Sequence, residues 1–81
     1  MKRLTIEAAD LESARGLCRA LSRFDATLEE DEHGACIVVV TIESDREIVQ
    51  VLGAIERHVR GRNAGAALIG LGGNRYVMEP N

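Results

Sequence analysis

Aromatic side chains are almost missing from this chain. Phe24 and Tyr76 are the only two among 81 residues, and there is no tryptophan. A hydrophobic core must therefore be built from leucine, isoleucine, valine and alanine. Apolar residues make up 46% of the chain and charged residues 28%, which is typical of a folded protein rather than a disordered one. The length is enough for one domain, residues 1–81.

Cysteine, lysine and long apolar runs are scarce as well. The two cysteines, Cys18 and Cys36, are too few and too far apart for a disulfide scaffold or a zinc site, so we expect buried, reduced thiols. Lys2 is the only lysine, and a net charge of −3 provides no overall attraction for nucleic acid. No apolar stretch approaches the roughly 20 residues of a membrane span, and the first residues lack the apolar core of a signal peptide. These absences predict a cytoplasmic protein with neither a membrane nor a nucleic-acid partner.

The beginning of the chain predicts a strand followed by a helix. Residues 3–8 alternate polar and apolar side chains, with Leu4 and Ile6 on the inner face of a half-buried strand. Asp10 then offers a helix N-cap. The expected helix has an apolar face at helical spacing, formed by Leu11, Ala14, Leu17, Cys18, Leu21 and Phe24.

The middle of the chain predicts a hairpin. Residues 26–31 alternate again, and residues 31–34 form a turn in which Gly34 is free to adopt a positive φ. Residues 35–42 are apolar on both faces and rich in β-branched side chains, which is typical of a central strand. We expect its inward-facing residues to be Cys36, Val38, Val40 and Ile42.

A capping box marks the start of a second helix. The Ser44 side chain can accept a hydrogen bond from the amide of Glu47, and the Glu47 carboxylate can reach back to the amide of Ser44. An apolar stripe continues to Val59, and Gly61 suits the position just after a helix.

The last part of the chain leaves two interpretations open. Residues 66–71 are apolar, Gly72 and Gly73 signal a turn, and residues 75–79 have a strand pattern that Pro80 ends. Either a terminal hairpin forms, or one last strand follows a glycine-rich loop.

The order of elements is β-α-β-β-α-β, with an additional C-terminal strand if the hairpin forms. Two right-handed crossovers that share a central hairpin give a four-stranded antiparallel sheet in the order 4-1-3-2, with both helices on one face. We therefore predict an α+β domain of ferredoxin-like, split β-α-β type.

No set of polar residues converges as an active site would, so we expect no catalysis, cofactor or metal. Arg15, Arg19 and Arg23 recur every fourth residue, which could bind phosphate, but ion pairs with the second helix explain them without a ligand. The acidic run 29–32 alternates between two faces of a strand and is typical of an edge that discourages pairing. The glycines of residues 70–73 precede a strand rather than a helix, so they do not form a dinucleotide fingerprint.

RNA-recognition modules of this fold stack bases on aromatic side chains of the central strands, and this chain has none there. The order of elements resembles that of ACT-type regulatory domains, without a diagnostic motif. That resemblance implies a small-molecule site at the loop Ala9 and Asp10, against a partner subunit. The interpretation we favour is a non-catalytic, self-associating protein-interaction module, with a small enzyme as a distant third.

A homodimer is the partner that this interpretation requires. In a sheet with both helices on one side, the other face is open to a partner. We expect that face to carry Ile37 and Val39, together with Tyr76 or Val77, as an apolar interface. A second copy would stack on this face or extend the sheet through the C-terminal hairpin. Alternatively, the hairpin folds across the open face of its own chain.

Overall fold

The computed structural model of the protein describes residues 2–30, 32–62 and 65–79. Within them the chain forms two α-helices, a short 3₁₀ turn and five strands. In chain order, these elements are β1 (Lys2–Glu7), α1 (Leu11–Ala20), the 3₁₀ turn (Ser22–Phe24), β2 (Thr27–Glu30), β3 (Cys36–Ile42), α2 (Asp45–Arg62), β4 (Ala67–Leu71) and β5 (Asn74–Met78).

The strands form one sheet in the order β2-β3-β1-β4-β5, and every neighbouring pair is antiparallel. The predicted α+β class is confirmed. The four-stranded order 4-1-3-2 is contained in this sheet, but β5 extends it beyond β4. The fold therefore departs from the exact ferredoxin-like arrangement by a fifth strand at one edge.

The terminal hairpin is the correct interpretation of the last segment. Gly72 and Gly73 connect β4 to β5 with φ of 59° and 85°. A two-residue hairpin loop of this hand needs positive φ at both positions, which glycine adopts without a steric penalty. The hairpin continues the sheet at its edge, so the idea that it folds across the open face is wrong. Pro80, the predicted end of the strand, lies outside the described residues.

Both helices pack on the same face of the sheet and share one core with it. From the strands, the fully buried side chains include Leu4, Ile6, Val38 and Val40, as the alternation predicts. The helices contribute Leu17, Leu21, Val51 and Ile55 among others. Cys36, predicted to face inward, is half-buried and packs against this core.

The helix ends agree with the sequence in part. Asp10 caps α1, because its Oδ1 accepts a hydrogen bond from the Ser13 amide at 2.7 Å. The predicted apolar face runs to Phe24, whereas α1 ends at Ala20 and a 3₁₀ turn follows, closed by Asp25 at φ 57°. Half-buried Phe24 still packs against the core, so its contact is retained although its backbone is no longer α-helical.

The start of α2 is a capping box with a shifted partner. The Glu47 amide donates to Ser44 Oγ at 3.4 Å, as predicted. The Glu47 carboxylate accepts from the amide of Glu43 at 2.8 Å, instead of the expected amide of Ser44. At the other end, the prediction for Gly61 is wrong, because α2 continues through it to Arg62.

Candidate functional site

The sheet face without helices, called the open face below, carries apolar residues that polar ones separate. Ile37 of β3 and Leu68 of β4 both lie opposite Glu7 of β1, so a carboxylate stands between them. Val77 of β5 lies opposite Leu68 and is 62% exposed. A continuous apolar patch across the open face, as the sequence suggested, is therefore interrupted at its centre.

Val39 is on the open face but is only 8% exposed. Its neighbours in the adjacent strands are Thr5 and Thr27. Arg3 and Glu29 form an ion pair at 3.3 Å although β3 separates their strands. Arg3 pairs with the residue two positions after Val39, and Glu29 with the residue two positions before it, so the ion pair crosses β3 above Val39. The protein's own side chains therefore cover the centre of the predicted stacking surface.

The predicted interface residues divide between two faces. Ile37, Val39 and Val77 lie on the open face by their register with β1 and β4. Tyr76 pairs with the buried Ile69 and so lies on the helix face, where it is 54% exposed. Tyr76 and Val77 meet only as neighbours along β5. The two exposed residues of the predicted interface therefore lie at the β5 edge of the sheet, one on each face.

A groove of about 500 Å³ runs between α2 and β5 on the helix face. We call it the α2–β5 groove. The side chains of β1, β3 and β4 that face the helices are mostly buried, whereas on β5, at the edge of the sheet, Tyr76 is exposed and Met78 is half-buried. Leu52 and Glu56 of α2 form one wall, and Ile69, Leu71, Tyr76 and Met78 are among the residues that form the floor. The rim carries an ion pair between Arg60 and Glu56 at 3.1 Å.

Val49 is an exposed apolar residue of α2. It lies seven residues before Glu56, which is close to two helical turns, so the two side chains share one face of the helix. Val49 is 72% exposed. The large apolar side chains that are exposed in the described residues are Leu11, Leu28, Val49, Tyr76 and Val77. Two of these five, Tyr76 and Val77, belong to β5 and line the groove.

The opposite edge of the sheet has a different character. In β2, Leu28 is followed by Glu29 and Glu30, and the turn after the strand carries Glu32. An acidic, four-residue edge strand discourages pairing with another strand. Asp31, in the middle of the predicted acidic run, lies outside the described residues. In the described part of the chain, no group of three His, Cys, Asp or Glu side chains is arranged to hold a metal ion.

Ala9 and Asp10, the loop predicted as a ligand site, have structural roles of their own. Asp10 uses its carboxylate as the N-cap of α1. Ala9 lies close to Gly65, where an added Cβ would be 3.1 Å from the Cβ of Ala9. Neither residue lines the α2–β5 groove. A ligand at Ala9 and Asp10 stays a prediction.

The two cysteines do not form a disulfide. Both Cys18 and Cys36 are half-buried, less buried than predicted, and Cys18 Sγ lies 3.5 Å from the carbonyl oxygen of Ala26.

The arginines of α1 were expected to pair with the second helix. Arg23 lies over the ring of Phe24, 4.9 Å from its centroid. Within the described residues, the ion pairs are those of Arg3 and Arg60 named above, so the predicted pairs between the helices do not form.

Sequence reasoning missed the contact between His58 and Gly16. His58 is 8% exposed and lies where α2 meets α1. A Cβ at Gly16 would be 2.6 Å from its Cε1, so only glycine accommodates the ring. A signal was present, because an isolated glycine within a helical pattern that is otherwise favourable indicates a close approach of another group.

No protein-family model and no curated protein matches the sequence. Neither helix, over the residues described, is long and apolar enough to cross a membrane.

Proposed function

We propose that this chain is a non-catalytic, self-associating module and that a second copy docks on its β5 side. The observation that carries this proposal is the pair of exposed apolar neighbours Tyr76 and Val77 on the edge strand β5, both of which line the α2–β5 groove. Single exposed apolar residues need no explanation, but a group beside an apolar groove is typical of an interaction surface.

The backbone of β5 also favours docking of a second copy on this side of the molecule. A strand at the edge of a sheet presents unpaired N–H and C=O groups, which pair readily with another strand. The β2 edge is protected by its carboxylates and its short length, whereas β5 carries a single cation, Arg75, among Tyr76, Val77 and Met78. Stacking on the open face is the weaker alternative, because Val39 is already covered.

Light scattering over a series of micromolar concentrations tests the proposal. We expect a mass that rises from 8.8 kDa towards twice that value as the concentration increases. Val77→Lys should keep the protein folded, because the side chain is exposed, but should hold the mass at that of one chain. The matched control is Leu28→Lys, an exposed apolar residue on the other edge strand, which should leave the association unchanged. A mass of one chain throughout the series for the unmodified protein would remove the proposal.

A further inference from the structure

We propose that two copies pair β5 to β5 in antiparallel orientation about a two-fold axis at Val77, so that Arg75 of each copy faces Glu79 of the other. This inference rests on the proposed function and specifies its interface. It follows from the direction of the backbone groups of β5 and from the order of side chains along it.

The two-residue loop determines which groups of β5 point outwards. In such a hairpin the residues next to the loop, Leu71 and Asn74, form a hydrogen-bonded pair, and bonded and non-bonded pairs then alternate. Gly70 with Arg75 and Leu68 with Val77 are consequently non-bonded pairs. The N–H and C=O groups of Arg75 and Val77 therefore point away from β4. Glu79 directly follows the end of β5 at Met78, and pairing with a second copy would extend the strand by this one residue.

Only some two-fold registers use these outward groups well. An axis at Arg75 places two guanidinium groups opposite each other, and like charges directly opposite are destabilising. An axis at Tyr76 pairs Arg75 with Val77 and leaves Glu79 outside the ladder. An axis at Val77 pairs Val77 with itself and Arg75 with Glu79, twice by symmetry. This last register brings both outward-pointing residues, Arg75 and Val77, into bonded pairs and joins Arg75 to the opposite charge of Glu79.

The helix face is complementary in the same register. Tyr76 of one copy lies opposite Met78 of the other, and a thioether beside an aromatic ring is a favourable contact. Both residues line the α2–β5 groove. The grooves of the two copies then meet at the axis, and each floor is extended by Tyr76 and Met78 of the second copy.

Charge reversal tests the register. Arg75→Glu or Glu79→Arg alone places two pairs of like charges across the axis and should weaken the dimer on the order of tenfold. The double variant, with both changes in one chain, restores opposite charges and should return the dissociation constant to within about threefold of the original. Residues four apart on a strand are separated by roughly 13 Å, so no contact within one chain can produce this rescue.

Sedimentation equilibrium gives the dissociation constants, and circular dichroism shows that each variant is folded. If the unmodified protein dimerises but the single variants do not weaken it, or the double variant does not recover, the pairing about Val77 is wrong while self-association stands. If the unmodified protein is a monomer, the proposed function itself fails. Assemblies larger than a dimer would indicate head-to-tail pairing of β5 with β2 and would also overturn the two-fold arrangement.

Discussion

Replacing Gly16 with alanine adds one methyl group at the closest approach of α1 and α2. The new Cβ would lie 2.6 Å from Cε1 and 3.3 Å from Nε2 of His58. These distances are shorter than ordinary contacts between non-bonded heavy atoms, about 3.5–4.0 Å. Because His58 is buried, its ring has little room to move away. The helices must separate or the ring must leave its position.

Two opposing free energies decide the sign of the effect. Alanine is favoured over glycine inside a helix by roughly 0.8–1.0 kcal/mol. Overpacking a closely packed contact costs about 1–3 kcal/mol. The balance is a loss of stability of up to about 2 kcal/mol. In a domain of this size a change of 1 kcal/mol shifts the melting temperature by roughly 4–8 °C, so thermal unfolding followed by circular dichroism measures it readily.

Gly53→Ala in α2 is the matched control. Its Cβ would meet nothing closer than Nη1 of Arg57 at 3.8 Å, an ordinary contact. The helix-propensity term then acts alone, and stability should rise by about 0.5–1 kcal/mol. In a His58→Ala background, Gly16→Ala should become stabilising as well. The close approach would be refuted if Gly16→Ala raised the stability of the unmodified protein as much as Gly53→Ala does.

Two further substitutions test local features of the fold. Asp10→Ala removes the carboxylate that accepts from the Ser13 amide and should cost about 1 kcal/mol, whereas Asp10→Asn keeps an acceptor and should cost little; urea unfolding distinguishes the two. Val39→Glu places a charge beneath the Arg3–Glu29 pair. It should therefore lower the free energy of unfolding by about 1–3 kcal/mol and should not produce a stable monomer. A fully stable Val39→Glu protein would show that Val39 is not covered.

Much of the fold follows from periodicity in the sequence. Alternation predicts the inward faces of β1 and β3, and the glycine pair at 72–73 predicts the hairpin in one of two interpretations. Helix starts were predicted because their caps are local: Asp10 and Ser44 bond to amides three residues later. Local interactions are visible in a sequence because both partners lie within a few residues.

Helix ends were predicted less well because tertiary contacts decide them. The apolar spacing from Ala14 to Phe24 indicates which side chains contact the core, although Leu11, predicted on the same face, is exposed. It does not indicate where the backbone tightens into a 3₁₀ turn after Ala20. Gly61 has the residue type of a helix terminus, yet α2 continues through it to Arg62, and Gly61 is not among the glycines with a positive φ. Residue type alone does not determine whether a helix stops.

The contacts of the candidate site depend on the register of the sheet, which the sequence alone does not show. Arg3 and Glu29 are 26 residues apart, and only the pairing of both β1 and β2 with β3 shows that they meet above Val39. The sequence did suggest Tyr76 and Val77 as interface residues. Alternation along a strand places these neighbours on opposite faces. Which of them lies on the helix face depends on the pairing of β5 with β4, which the sequence alone does not show.

The fifth strand accounts for both halves of the candidate surface. Without β5, the edge of the sheet would be β4, whose inward residues Ala67 and Ile69 are buried. With β5, the sheet becomes wider than its helix layer, and the same strand supplies the groove floor and an edge able to pair.

Arg75 is attracted to the carboxylates of β2 as well as to Glu79, so charge alone does not determine which strand β5 pairs with. Strand length favours β5: β2 has four residues and Glu29 is already bonded to Arg3, whereas β5 has five residues, carries Arg75 near its start and is followed directly by Glu79. Pairing of β5 with itself also closes after two copies, whereas β5 with β2 would continue indefinitely.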